Sequence, residues 1–188
     1  MPLSKRRRMP TFFDTSKRAE ALVGPMMVRA ATVADVPRFV ELVRELAAFE
    51  KMEGPGADAE QRLARDLAAG RFGLHLAEID ARIVAYAVTF ETYSTFRAAP
   101  ILYLEDLYVT PSARRRGVAH ALMRHIAADA LRRGCCRLSW VVLDWNVDAQ
   151  RFYERLGAKR AADWWPYTLE RPEMEALVGK ALDDRDAS

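Results

Sequence analysis

Two adjacent carboxylates, Glu105 and Asp106, stand inside the otherwise apolar run Tyr103-Leu104-Glu105-Asp106-Leu107-Tyr108. Burying a charge without a partner is costly, so such a pair is solvated, paired or put to use. A partly desolvated carboxylate gains basicity and can take a proton near neutral pH. In a regular strand successive side chains face opposite ways, so one of the two points into any given cleft. We read the pair as functional; the alternative is two wet carboxylates at a strand break.

Downstream of Val109 comes Arg114-Arg115-Arg116-Gly117-Val118-Ala119. It follows a strand and opens a helix, where backbone N–H groups and the helix dipole favour an anion. Gly117 lets the backbone approach a ligand closely, and three arginines can pair with phosphate oxygens. The segment has neither the Gly-Lys-Ser/Thr of a Walker A loop nor the three glycines of a dinucleotide fingerprint. A solvated basic helix start is the competing reading. A third group is Trp145-Asn146 with Tyr153 seven residues on, two helical turns along nearly one face. Asn146 suits a helix N-cap. A helical tyrosine by itself is as readily a core residue with a satisfied hydroxyl.

Strands are expected at 27–30, 74–79, 82–90, 101–109, 136–143 and 162–169. Asp80-Ala81 would join the second and third as a hairpin. The run 136–143 is nearly all apolar, as in a strand covered on both faces. Helices are expected over 33–49, 58–69, from the Gly117 segment to about 133, over 146–156, and over 173–182. The first has Thr32 as N-cap and an apolar stripe of Val36, Phe39, Val40, Val43, Leu46 and Ala47. The third has Ala121, Leu122, Ile126 and Leu131 on its core side, and Gly157 closes the fourth. This order gives a mixed α/β fold with one parallel crossover in its middle.

The chain has 188 residues, 51% of them apolar and 29% charged, the balance of a soluble globular protein. No run of 18 apolar residues exists, which excludes a membrane-spanning helix. The only cysteines, Cys135 and Cys136, are adjacent and read as buried strand residues, consistent with a reducing cytoplasm. Three histidines, His75, His120 and His125, are scattered along the chain, and no structural zinc site is expected. Of the net charge of +3, residues 1–25 carry +4, so the remainder sums to −1. The body therefore gives nucleic-acid binding no support. Residues 1–25 read as a basic tail, or as sequence upstream of a start at Met26 or Met27. The Lys5-Arg6-Arg7-Arg8 run alone could be a targeting or nucleic-acid patch. We expect 26–183 to be a single domain and 184–188 a C-terminal tail.

Taken together the three segments resemble the GCN5-related N-acetyltransferase (GNAT) superfamily, whose pyrophosphate loop matches Arg114-x-x-Gly117-x-Ala119. Further segments narrow the resemblance to the spermidine/spermine (diamine) branch, which includes the thialysine N-acetyltransferases. They are Arg29-Ala30-Ala31-Thr32, Glu45-Leu46-Ala47-x-Phe49-Glu50, Tyr93-Ser94-Thr95-Phe96, Tyr103-Leu104-Glu105-Asp106 and Phe152-Tyr153-x3-Gly157-Ala158. The ordered match runs over about 27–170; Ala161-Ala162-Asp163-Trp164-Trp165-Pro166 departs from the family pattern.

The resemblance implies a mostly antiparallel central sheet with a splayed parallel strand pair and flanking helices. It implies acetyl-CoA as acetyl donor, no metal, a small-molecule amine substrate and a cytoplasmic homodimer without nucleic-acid or membrane partners. Leu107, Tyr108 and Val109 would offer backbone groups to the pantetheine arm. Arg115, Arg116, Gly117, Val118, Ala119 and His120 would hold the pyrophosphate by main-chain N–H groups, with Arg114 adding charge. Asn146 would bond the cofactor near its helix start. Tyr153 would protonate the departing thiolate, and Glu105 would accept the amine proton directly or through water. Phe49, Glu50, Glu105 and Asp106 would line the amine pocket. The chemistry agrees: an alkylamine ionises near ~10 and must shed a proton before attacking a thioester. Two other readings follow: a different amine, such as a protein amino group or an aminoglycoside, or a non-catalytic acyl-CoA-binding regulator.

Overall fold

Five strands and five α-helices position these groups in the computed structural model, which describes residues 24–179. The tail reading falls almost wholly on residues outside that range. The chain divides into two compact units, one ending at Val141 and one beginning at Val142.

The first unit holds β1 (Met26–Ala30), α1 (Val36–Glu50), α2 (Ala59–Ala68), β2 (Gly73–Ile79), β3 (Arg82–Ser94), β4 (Ala99–Val109), α3 (Val118–Arg132) and β5 (Leu138–Ser139). The sheet runs β1-β2-β3-β4-β5, antiparallel except for the parallel β4–β5 pair. This is the mixed α/β, mostly antiparallel arrangement expected. Asp80 and Ala81 both have positive φ (53° and 57°), the two-residue turn whose twist suits a hairpin. Arg29 bonds both Asp35 and Glu78, tying β1 and β2 to the chain entering α1. That guanidinium holds the Asp35 carboxyl well below the usual carboxylate range.

The core follows from the sheet's two faces. Leu74, Leu76, Tyr86, Val88 and Tyr108 pack with Phe39 and Leu42 of α1. Truncating a side chain as buried as Leu42 to Ala should cost about 2–5 kcal/mol. Val118, Leu122, Met123, Ile126 and Ala130 are the buried side of α3. Leu131, expected in that stripe, is 78% exposed, because the inward face steps from Ile126 to Ala130. His75 and His125, far apart in sequence, bring their ring centroids to 5.1 Å. Burial pushes the His75 imidazole down to about 4, and its Nε2 lies 3.1 Å from Thr89 Oγ1.

Two strand expectations need correction. Only Leu138–Ser139 of the run 136–143 is strand, paired with Leu102 and Tyr103. Cys135 and Cys136 are half-buried in the turn after α3 rather than in a strand. Residues 162–169 form no strand: Trp164, Trp165 and Tyr167 are exposed, and Pro166 lacks the N–H that a ladder needs. In the second unit, α4 (Val147–Arg155) begins after Asn146, whose Oδ1 accepts from Ala149 N–H at 3.2 Å. Gly157 at φ 87° ends it, as the spacing indicates. The last helix, α5, covers Arg171–Gly179, and residues 180–182 of its expected span lie outside the described residues.

Candidate active site

A fault in the ladder builds the acidic site. Asp106 pairs with Val88 and Leu104 with Thr89, so Glu105 is an extra residue on β4 opposite no β3 residue of its own. Such a β-bulge breaks the alternation of side chains. Glu105 and Asp106 consequently line the same cavity, where a regular strand would have sent them to opposite faces. This corrects the expectation that only one of them could enter a cleft. The cavity, about 490 Å³, lies within the first unit, with Phe39, Val43 and Leu63 on its apolar wall. Arg62 and Asp66 of α2 complete its polar lining.

The two carboxylates differ in environment. Glu105 is exposed, whereas Asp106 is half-buried and accepts a bond from Tyr86 Oη at 3.3 Å. Burial pushes Asp106 up to about 6, the Glu105 charge adds to this, and the Tyr86 bond opposes it. Tyr86 is fully buried, packed edge-on against Phe39 with ring centroids 4.9 Å apart. Its own ionisation is driven up by burial and then by the Asp106 charge. Tyr86 was missed in the sequence. The available signal was a hydroxyl within the apolar run Ile83-Val84-Ala85-Tyr86-Ala87-Val88, because a buried phenol usually needs a partner. Arg62 and Asp66 were missed too, since the sequence marks only a helix over 58–69 there.

Phe49 and Glu50, at the end of α1, are not part of the cavity lining. Burial raises the Glu50 carboxyl, and its charge acts on both Asp106 and Tyr86. The Arg114 guanidinium lies over the Phe49 ring at 5.4 Å and the Tyr108 ring at 5.9 Å. Tyr108 in turn donates from Oη to Glu45 at 3.1 Å.

The loop expected to bind an anion offers main-chain groups. Gly117 has φ 80°, and a Cβ there would meet nothing within 4 Å, so open space lies over the loop. The first intrahelical bond of α3 runs from Ala121 N–H to the Gly117 carbonyl at 2.9 Å. The N–H groups of Val118, Ala119 and His120 therefore precede the helical ladder, as phosphate binding requires. Arg115 (φ 58°), Arg116 and His120 are exposed around it. Beyond Tyr103, β4 has no strand partner on its β5 side among the described residues, so Leu107, Tyr108 and Val109 lie on an open edge. One acceptor there is already engaged: the Val109 carbonyl receives Arg114 Nε at 3.0 Å. These features fit a phosphate-bearing ligand that extends along a strand edge.

In the second unit Asn146 uses its carboxamide oxygen as a cap, which leaves the amide nitrogen as its donor. Tyr153 follows on the same helix, and burial pushes its phenol up to about 12. Among the described residues no group of three His, Cys, Asp or Glu side chains could hold a metal ion. No described helix is long and apolar enough to cross a membrane.

The profile of the acetyltransferase (GNAT) family matches residues 39–158, a stretch containing the bulge, the loop and Tyr153. The chain belongs to the GNAT acetyltransferase family. It is 33% identical to a thialysine N-epsilon-acetyltransferase of Bos taurus over 82% of this chain and 98% of the relative. An L-ornithine N5-acetyltransferase of Arabidopsis thaliana is 34% identical over 52% of this chain and 43% of its own length. Among solved structures, an integron cassette protein of Vibrio cholerae superposes with a TM-score of 0.67 at 23% identity. That match covers 82% of this chain and 98% of the neighbour, a likeness of fold. This GNAT protein is an N-acetyltransferase.

Proposed function

We propose that this GNAT protein transfers the acetyl group of acetyl-CoA to the side-chain amine of a small diamino acid or diamine. The observation carrying this reading is the bulge that puts Glu105 and Asp106 into one cavity. Two carboxylates there attract an alkylammonium and offer its proton a destination. Acetyl-CoA supplies a thioester carbonyl activated for acyl transfer. Val118, Ala119 and His120 hold its pyrophosphate by main-chain N–H groups, with Arg114, Arg115 and Arg116 adding positive charge. Leu107, Tyr108 and Val109 lie along its pantetheine arm. Asn146 contributes a hydrogen bond, and Tyr153 is the acid for the thiolate. Phe49 and Glu50 shape the approach of the amine.

Arg62 favours the diamino acid over a polyamine. It lines the cavity while paired with Asp58 at 2.7 Å, and its guanidinium can also meet the carboxylate of a diamino acid, a group that a polyamine lacks. The names of the bovine and Arabidopsis relatives both specify a nitrogen on an amino-acid side chain. Free cysteines support a cytoplasmic setting, and the exposed Trp164, Trp165 and Tyr167 support a homodimer. The test is an acetylation panel with acetyl-CoA and thialysine, ornithine, spermidine, a short diamine and a monoamine. Highest kcat/KM for the two amino acids is expected. Preference for spermidine would favour a polyamine enzyme, and no acetylated product would remove the enzymatic reading.

A further inference from the structure

Resting on the acetyl-CoA reading above, we propose that Glu45 is a positioning residue for the cofactor edge. It acts through Tyr108 and Arg114, which tie α1 to the last carbonyl of β4, and it sets affinity for acetyl-CoA rather than for the amine. Glu45 and Phe49 stand four residues apart on α1, hence on one face of the helix. Both meet the same end of β4. Tyr108 Oη donates to Glu45 Oε2 at 3.1 Å, and Arg38 Nη1 lies 3.5 Å from Glu45 Oε1, so both carboxylate oxygens are engaged. Burial, and then the Glu45 bond, push the Tyr108 phenol up, which keeps it a donor at neutral pH. The buried Tyr108 ring and the Phe49 ring form the platform under the Arg114 guanidinium, at 5.9 Å and 5.4 Å.

The strand register says what Arg114 does from that platform. Thr110 N–H bonds the Val84 carbonyl at 2.9 Å, so the main-chain groups of Thr110 face β3 and those of Val109 face the open side. Arg114 Nε donates to the Val109 carbonyl at 3.0 Å and so occupies the last acceptor on that side of β4. A ligand adding along the edge is left the main-chain groups of Leu107 and the Val109 N–H, and it meets the Arg114 charge where the strand ends. Arg114 is itself exposed, and a long exposed side chain held in one direction loses rotamer freedom. Two ring faces and one carbonyl meet that cost before any ligand arrives, which is preorganisation. Glu45 holds the Tyr108 half of the platform from α1, the helix whose Phe39 and Val43 also wall the acidic cavity.

Steady-state kinetics with each substrate varied in turn test this, alongside thermal-shift titration with acetyl-CoA. Glu45→Ala should raise the KM for acetyl-CoA by about 3–10-fold, with kcat and the amine KM within about twofold of wild type. Tyr108→Phe, which keeps the ring and removes only the hydroxyl, should give a rise of the same size. Glu45→Gln keeps an acceptor for that hydroxyl and should restore the acetyl-CoA KM to within about twofold. Added to Arg114→Ala, Glu45→Ala should raise the KM no further, because its effect runs through that guanidinium. A full additional rise in the Arg114→Ala background, or an equal rise in the amine KM, would overturn the proposal and reduce Glu45 to general support of α1. An unchanged acetyl-CoA KM in Tyr108→Phe would overturn it as well, and this variant decides should Glu45→Ala fail to fold. Failure of the underlying reading looks different, since the wild-type protein would then show no thermal shift with acetyl-CoA.

Discussion

The acidic bulge and the glycine loop lie at opposite ends of one stretch of chain, from β4 to the start of α3, yet they are built on opposite principles. At Glu105 and Asp106 the backbone fault brings two side chains to one cavity, and the proposed chemistry belongs to their carboxylates. At Gly117 the side chain is missing, and the donors are main-chain N–H groups ahead of the first helical bond. Conservative changes of side chain should therefore be severe at the first place and mild at the second. A change of backbone freedom should be severe at the second.

The largest effect that could break this contrast is expected from Asp106→Asn. It should lower kcat by about 100–10,000-fold if a carboxylate of this cavity takes part in proton transfer, with the KM for acetyl-CoA unchanged. Stopped-assay kinetics with each substrate varied in turn would check it, and an equal change in the acetyl-CoA KM would blur the two regions into one. Next comes Gly117→Val. No neighbour would clash with the new Cβ, so the cost arises from φ 80° and from filling the space over the loop. Backbone strain of about 1–3 kcal/mol corresponds to a rise of roughly 5–150-fold in the KM for acetyl-CoA. The amine KM should hold, and thermal-shift titration with acetyl-CoA would show the same loss.

Smaller effects sharpen the picture. Arg115→Ala and Arg116→Ala should each weaken acetyl-CoA binding only a few-fold, about 0.2–1 kcal/mol for an exposed charge, and less at high salt. A salt series on both variants measures this directly. The smallest change is expected from Glu50→Gln, since Glu50 acts on the cavity without lining it. It should raise the KM for a diamine slightly more than for a monoamine, by a factor of about two. Equal effects on both would remove Glu50 from substrate recognition.

Much of this was legible in the sequence, for physical reasons that also explain what was not. Alternation and turn residues marked β2, β3 and the Asp80-Ala81 hairpin because these depend on local backbone preference. Asn146 and Gly157 bracketed α4 through capping chemistry, which is local too. The bulge at Glu105 was not legible, since it is a property of pairing with β3, and no local pattern records a register shift. Tyr86 and Asp106 stand twenty positions apart, so their bond appears only once the two strands are paired. The apolar run at 136–143 and the stretch 162–169 suggested strands, but a strand needs a neighbouring edge as well as a composition.

The acidic bulge as the amine site is tested most directly by the turnover number of the Glu105→Gln/Asp106→Asn double variant. It should be measured at saturating acetyl-CoA with the best amine of the panel. A fall of at least about 100-fold is predicted, with the protein still binding acetyl-CoA at wild-type affinity. A double variant that acetylates the same amine at close to the wild-type rate would contradict it.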